Sequence, residues 1–236
     1  MDKILRIILL GPPGSGKGTQ AQQLCQRYQI GHVSTGDILR RNAQKGTPLG
    51  KDAQKCMQSG SLVPDSLVFQ MLEDLWNRAD GEHVGFALDG FPRSRSQAEA
   101  LSEFLESHGQ AIHKVLLLEI EDDLLVGRLI GRRTCPKCGR SYHIQASPPR
   151  QEGICDEDGT ELVWRSDDHE DVIRNRLETY HAQTCPVADF YADKGVLARI
   201  DGSDSIADVY RRMTAIVDEL TSGSESCKAI RPTAGH

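Results

Sequence analysis

Apolar residues fall along this chain in short runs separated by amphipathic stretches. Residues 4–10 are apolar except for Arg6, the pattern of a strand buried on both faces. Shorter apolar runs predict further strands near 31–34, 84–89, 114–120 and 196–201. The stretches between them have helical spacing. One covers 18–28, with Ala21, Leu24 and Cys25 on one face. Another covers 37–44, capped by Ser34 or Thr35, and others open at Pro48 and at Asp65-Ser66. Later helices carry Ala98, Leu101 and Leu105, follow the acidic start Glu121-Asp122-Asp123, and run over 169–191 and 204–220. Strands alternating with helices predict an α/β fold, a five-stranded parallel sheet with helices on both faces.

Two segments break the alternation. Residues 34–63 hold two short helices, more than a simple crossover needs. Residues 131–168 are rich in Cys, Pro and Gly and lack a helical period. The expected organisation is a core of 1–33, 64–130 and 169–221 with two inserted lobes, 34–63 and 131–168. The Gly/Ser/Thr-rich tail 222–236 is expected to be disordered.

Between the first strand and the first helix lies Gly11-Pro12-Pro13-Gly14-Ser15-Gly16-Lys17-Gly18-Thr19. It fits the P-loop pattern G-x-x-x-x-G-K-[ST], except that Gly18 stands where Ser or Thr is usual and Thr19 supplies the hydroxyl one position later. Glycines let backbone N–H groups approach a phosphate with no Cβ in the way. The following helix aims its positive end at the same point, and Lys17 adds a charge that can follow the phosphates. The strand at 84–89 ends in Asp89, placed to hold Mg through water beside those phosphates. The alternative is an Asp that merely opens a turn before Gly90. Together these features predict a P-loop NTPase fold.

The 131–168 insert carries Cys135-Pro136-Lys137-Cys138-Gly139 and Cys155-Asp156-Glu157-Asp158-Gly159. The spacing C-x2-C-x16-C-x2-D is that of a zinc ribbon with Asp158 as fourth ligand, and His143 is an alternative fourth ligand. Such a segment cannot build a core alone, so a closed, structural Zn site would supply the missing stability. Cys25, Cys56, Cys185 and Cys227 read as packing or incidental thiols.

The chain has 236 residues and a formal net charge of −6, which speaks against non-specific nucleic-acid binding. No apolar run approaches the roughly 20 residues that span a bilayer, and the first strand enters the glycine loop with no signal-peptide pattern. A cytoplasmic protein is expected, with neither nucleic acid nor membrane as partner. Against this acidic background Arg40, Arg93, Arg128, Arg132, Arg165 and Arg176 stand at element ends or beside the inserts and read as having no acidic partners. Phosphoryl transfer needs two phosphate chains held in line and their charge neutralised, which guanidinium forks suit.

Several of these stretches carry a resemblance. G-P-P-G-S-G-K-G-T-Q, S-T-G-D-I-L-R, L-V-P-D, G-F-A-L-D-G-F-P-R with Gln97, G-R-R-T-C-P-K-C-G-R-S-Y-H and W-R-S-D-D together resemble adenylate kinases, in particular the bacterial long form with a zinc-bearing lid. The G-K-G-T ending is itself that family's form. The resemblance implies the reaction Mg·ATP + AMP ⇌ 2 ADP in a monomer. It further implies that Gly14, Ser15, Gly16, Lys17, Gly18 and Thr19, with Arg128, Arg132, Ser141, Tyr142 and Asp204, bind ATP. Thr35, Arg40, Ser61, Leu62, Val63, Gly90, Phe91, Pro92, Arg93 and Gln97 would bind AMP, Gln97 reading adenine. Arg165 and Arg176 would reach the AMP side and the moving phosphoryl group. Lys17, Asp89, Arg93, Arg132, Arg165 and Arg176 would carry the catalysis, and Cys135, Cys138, Cys155 and Asp158 the metal. Asp158 replaces the fourth cysteine common in zinc lids. The rival expectations are a kinase for another nucleoside monophosphate and a nucleotide-gated regulator whose ribbon binds nucleic acid or protein.

Overall fold

The computed structural model describes residues 4–78 and 85–222. The tail beyond Ser222, with Cys227, lies outside the described residues, as do Val84 at the predicted start of the third strand and Ala79 at the predicted end of a helix; Ser222 itself ends a helix. The strands are β1 (Arg6–Leu10), β2 (Gly31–Ser34), β3 (Phe86–Asp89), β4 (Lys114–Glu119), β5 (Arg132–Thr134), β6 (Ser141–His143) and β7 (Leu197–Asp201). The helices are α1 (Lys17–Tyr28), α2 (Thr35–Gln44), α3 (Pro48–Ser59), α4 (Asp65–Arg78), α5 (Arg95–Ser107), α6 (Asp122–Ile130), α7 (Glu170–Thr179), α8 (Cys185–Asp193) and α9 (Ile206–Ser222).

Five strands form one parallel sheet in the order β2-β3-β1-β4-β7. Side chains on a strand alternate between its faces, and the core divides accordingly. Ile8, Leu10, Leu88, Val115 and Leu117 pack with α4, α5 and α8, through Val68, Leu101, Leu105 and Tyr191. Ile7, Leu9, Ala87, Leu116 and Leu118 pack against α1 and α9, through Leu24, Met213 and Val217. Each fully buried Ile or Leu contributes roughly 1.5–3 kcal/mol relative to exposure, and Ile7, Ile8 and Leu9 are all fully buried. The central strand is thereby firmly held between the two layers of helices. It delivers the glycine loop to the carboxyl edge of the sheet, where the strand order reverses and where ligands of open α/β sheets bind.

Helix starts follow their caps. The Ser34 hydroxyl accepts from the Asp37 N–H, Thr47 from Gly50 and Ser94 from Gln97. Residues 169–191, which the sequence reads as one helical stretch, are divided by a π-helical turn, Tyr180–Thr184, between α7 and α8. Pro186, at the start of α8, has no N–H to give the preceding turn and its ring crowds that turn's carbonyl.

In the 131–168 segment β5 and β6 pair antiparallel and the two cysteine knuckles repeat one geometry. The N–H of Cys135 donates to Arg140 O and that of Gly139 to Cys135 O. Likewise Cys155 donates to Thr160 O and Gly159 to Cys155 O. Gly139 and Gly159 both have φ near +75°, at 79° and 70°, the left-handed backbone that closes each turn without a Cβ penalty. No described helix is long and apolar enough to cross a membrane.

Candidate active site

β1 ends at Leu10 and the chain turns through Gly11, Gly14 and Gly16, at φ 140°, 85° and 91°. A Cβ on Gly14 would lie 2.9 Å from Leu129, so this loop folds tightly against α6. Lys17 Nζ is drawn into the loop and donates to the carbonyls of Gly11 and Pro12, both at 2.7 Å, and to Ser15 Oγ at 3.2 Å. Burial pushes its ammonium down to about 7, with Asp89 opposing that shift. Ser15 is buried beneath the loop. Parallel pairing sets Leu9 of β1 and Ser34 of β2 level with Asp89 at the end of β3. A Cβ on Gly18 would sit 3.3 Å from Asp89 Oδ2, so the departure at position 18 leaves room for that carboxylate.

A cleft of about 220 Å³ opens at this edge. It is lined by Gly14, Gly16, Lys17, Gly18, Thr19 and Asp89 from the loop side, and by Arg128, Arg132, Ser141 and Arg165 from the insert side. Arg40, Leu62, Gly90, Pro92, Arg93 and Arg176 complete it. A second cavity of about 60 Å³ adjoins it, lined by Thr35, Ser61, Val63, Phe91 and Gln97. Gly90, Arg40, Arg93 and Arg176 belong to both walls. Among the described residues, seven cationic side chains line the larger cleft and Asp37 and Asp89 are its only acids. That imbalance suits a polyanion.

Arg40, Arg132 and Arg176 nevertheless have acidic partners, contrary to the sequence reading. Arg40 pairs with Asp37 at 2.5 Å, Arg132 is gripped by both oxygens of Asp168, and Arg176 meets Asp167 at 3.0 Å and Asp168 at 3.2 Å. Asp167 and Asp168 are buried and follow Arg165 after a single residue, Ser166, so the chain positions base and acid together at the neck of the insert. The adjacent acids in W-R-S-D-D were the available signal for this. Arg165 donates to Thr134 Oγ1 at 2.9 Å, and Arg93 Nε to Gly90 O at 2.7 Å. Burial, then the neighbouring Arg132, lowers Arg165 to about 9; burial, then Arg176, lowers Arg93 to about 10. Both are cations short of counter-charge, as an anion site requires.

Two residues of the expected ATP set stand apart. β6 alternates its faces, so Ser141 lines the cleft while Tyr142 is buried with Cys135, Cys155 and Leu162. Its hydroxyl accepts from the Asp156 N–H at 2.8 Å. Asp204 is exposed and pairs with Arg212. Nearby, Arg128 donates to the carbonyls of Gly202 and Ser203, both at 3.0 Å. Thr184, not singled out by any motif, donates to Arg93 O at 2.8 Å from within the π turn.

The four metal candidates converge. Their ligand atoms all lie within 4.8 Å of one another. Cys138 Sγ is 3.6 Å from Cys155 Sγ, and Cys135 Sγ is 3.5 Å from both oxygens of Asp158. A disulfide would bring sulfurs to about 2.05 Å. A tetrahedral metal bound to sulfur at about 2.3 Å and oxygen at about 2.0 Å sets S–S near 3.8 Å and S–O near 3.5 Å. The donor set therefore fits one four-coordinate ion. His143 is turned elsewhere, its Nδ1 accepting from the N–H groups of Gln145 and Ala146.

A cradle for phosphates with a half-buried lysine, facing a second cavity across shared arginines, is what a P-loop phosphotransferase acting on nucleotides needs. Comparison with known proteins agrees and narrows the class. The adenylate kinase family model matches residues 9–196. The adenylate kinase of Caldicellulosiruptor bescii is 49% identical over 209 residues, covering 89% of this chain and 97% of that protein. Those of Caldanaerobacter subterraneus and Clostridium perfringens are 46% and 44% identical, covering 87% and 90% of this chain and 93% and 98% of their own. The chain belongs to the adenylate kinase family and is a nucleoside monophosphate kinase, an ATP:AMP phosphotransferase that serves adenine-nucleotide homeostasis.

Proposed function

We propose that this enzyme transfers the phosphoryl group directly and in line from ATP in the larger cleft to AMP in the smaller cavity, with no covalent enzyme intermediate. The observation that carries this is the wall common to both spaces, where Arg40, Arg93 and Arg176 can face a group passing between them. The loop 14–19 cradles the ATP phosphates with its N–H groups and Lys17. Arg128 and Ser141 flank the nucleotide. Asp89 orients the Mg that accompanies ATP, and that ion neutralises phosphate charge when bound. Thr35, residues 61–63, the 90–93 loop and Gln97 hold AMP. Arg132, Arg165 and Arg176 stabilise the charge of the moving group.

Residues 34–63 act as an AMP-binding lobe and 131–168 as a lid, which close to exclude water as a competing acceptor. Support comes from the approach of the two inserts, where Gly139 lies beside Asp37 across the cleft. Cys135, Cys138, Cys155 and Asp158 would hold zinc, which stiffens the lid and takes no part in the chemistry. Transfer from ATP with a chirally labelled γ-phosphate tests the central claim. A single in-line displacement inverts the configuration at phosphorus; retention would establish a covalent intermediate.

A further inference from the structure

Gln97 is buried, and its amide is held at both ends. The backbone N–H of Arg93 donates to Oε1 at 2.7 Å, and Nε2 donates to Asp65 Oδ1 at 2.6 Å. Neither partner can exchange roles, because a backbone N–H only donates and a carboxylate only accepts. Rotating the amide by half a turn would set oxygen against oxygen at Asp65 and N–H against N–H at Arg93. The carboxylate is anchored in its own right, since its Oδ2 accepts from Ser96 Oγ at 2.9 Å. Asp65 opens α4, and Ser96 and Gln97 lie in the first turn of α5, so the contact also ties two helices together. Gln97 lines the smaller cavity, whereas Asp65 stands behind it.

We propose that Asp65 is a positioning residue that fixes the Gln97 amide in the one orientation that accepts adenine and rejects 6-oxopurines. With these two bonds made, the amide retains one lone pair on Oε1 and one N–H on Nε2. Adenine offers a matching pair on its Watson–Crick edge, a donor at N6 and an acceptor at N1. Hypoxanthine and guanine offer the reverse, an acceptor at O6 and a donor at N1. An amide free to turn could serve either base; an amide held by Asp65 serves one. Leaving a buried polar pair unmatched is the strong form of discrimination available to a pocket. The proposal rests on the reading of Gln97 as the residue that meets the base.

The test compares kcat/KM for AMP with that for inosine monophosphate at saturating ATP. Asp65→Ala and Asp65→Ser should raise the KM for AMP and narrow the AMP preference about tenfold, the effect of losing one charge-assisted hydrogen bond. The KM for ATP should stay at the wild-type level. Asp65→Asn keeps an accepting oxygen toward Gln97 and should restore most of the preference. Ser is well tolerated at a helix start, so Asp65→Ser keeps the test alive if the alanine variant does not fold. A wild-type preference in Asp65→Ser, alongside a narrowed one in Gln97→Ala, would overturn the role of Asp65. An unchanged preference in Gln97→Ala would remove the base reading itself, and this proposal with it.

Discussion

Arg132 and Asp168 grip each other through two parallel bonds, Nε to Oδ2 at 2.8 Å and Nη2 to Oδ1 at 2.5 Å, with Asp168 fully buried. One residue stands second in the 131–168 insert and the other ends it, so this pair closes the neck of the segment. Arg176 reaches the same carboxylate from α7. Removing one partner of a buried pair leaves charge without compensation, at a cost of roughly 3–5 kcal/mol. Asp168→Asn keeps the shape and loses the charge, leaving two guanidinium groups opposed. It should lower the unfolding free energy by about that amount in urea titration. A loss below about 1 kcal/mol would mean that the pair behaves as a solvated one.

Lys17 should take up a proton when ATP binds. Burial lowers its pKa from 10.5 to about 7, with Asp89 raising it and Arg93, Arg176 and Arg132 lowering it further. The folded value lies below the unfolded one. Charged Lys17 therefore costs stability in full below pH 7, and that cost fades as pH rises from 7 toward 10.5. At pH 8 the free enzyme holds Lys17 largely neutral, and the arriving phosphates favour its charged form. Calorimetry of ATP binding in buffers of different ionisation enthalpy should register an uptake approaching one proton. Lys17→Met should abolish that uptake and cut turnover by orders of magnitude with the fold intact.

A strong chelator should lower the melting temperature while leaving activity largely in place at a temperature where the protein remains folded. The small cluster Cys135, Tyr142, Cys155 and Leu162 is all the buried apolar packing described in the 131–168 insert, so on the proposed reading stability there would depend on a bound metal. Cys155→Ser should reproduce the effect and release the bound ion in a metal assay. Loss of activity without loss of stability would contradict a structural site.

Gly90→Ala should weaken AMP more than ATP. Gly90 has φ 78°, and an added Cβ would meet Arg93 Nη2 at 3.0 Å and Thr35 Oγ1 at 3.2 Å. Left-handed backbone costs an alanine about 1–2 kcal/mol, and the contact pushes Arg93 off its position. The KM for AMP should rise severalfold against a nearly unchanged KM for ATP. Equal changes in both would show that the 90–93 loop serves the two spaces alike.

The fold was largely legible because its signals are local. Five apolar runs, the cap Ser34 and the glycine loop each follow from neighbouring residues. The exception in the helices is instructive. Val172, Ile173, Leu177 and Tyr180 keep one apolar face through 169–180, so periodicity gives no warning of the π turn that brings Thr184 to Arg93. The residue types of the candidate site, Lys17, Asp89 and the arginines, were readable in the sequence. Their pairing was not. Asp168 lies 36 residues from Arg132 along the chain, and nothing in spacing tells a guanidinium which carboxylate it will meet.

The sequence by itself determined the sheet, the phosphate loop, the two cysteine knuckles and the family, because each is written in residues close along the chain or in motif order. Only the tertiary structure decided the strand order, which sets Asp89 beside the P-loop, and the burial of Tyr142 away from the cleft. It alone decided how Gln97 is held between Arg93 and Asp65. These depend on contacts between distant segments, whose geometry is fixed when the sheet and inserts pack and not before.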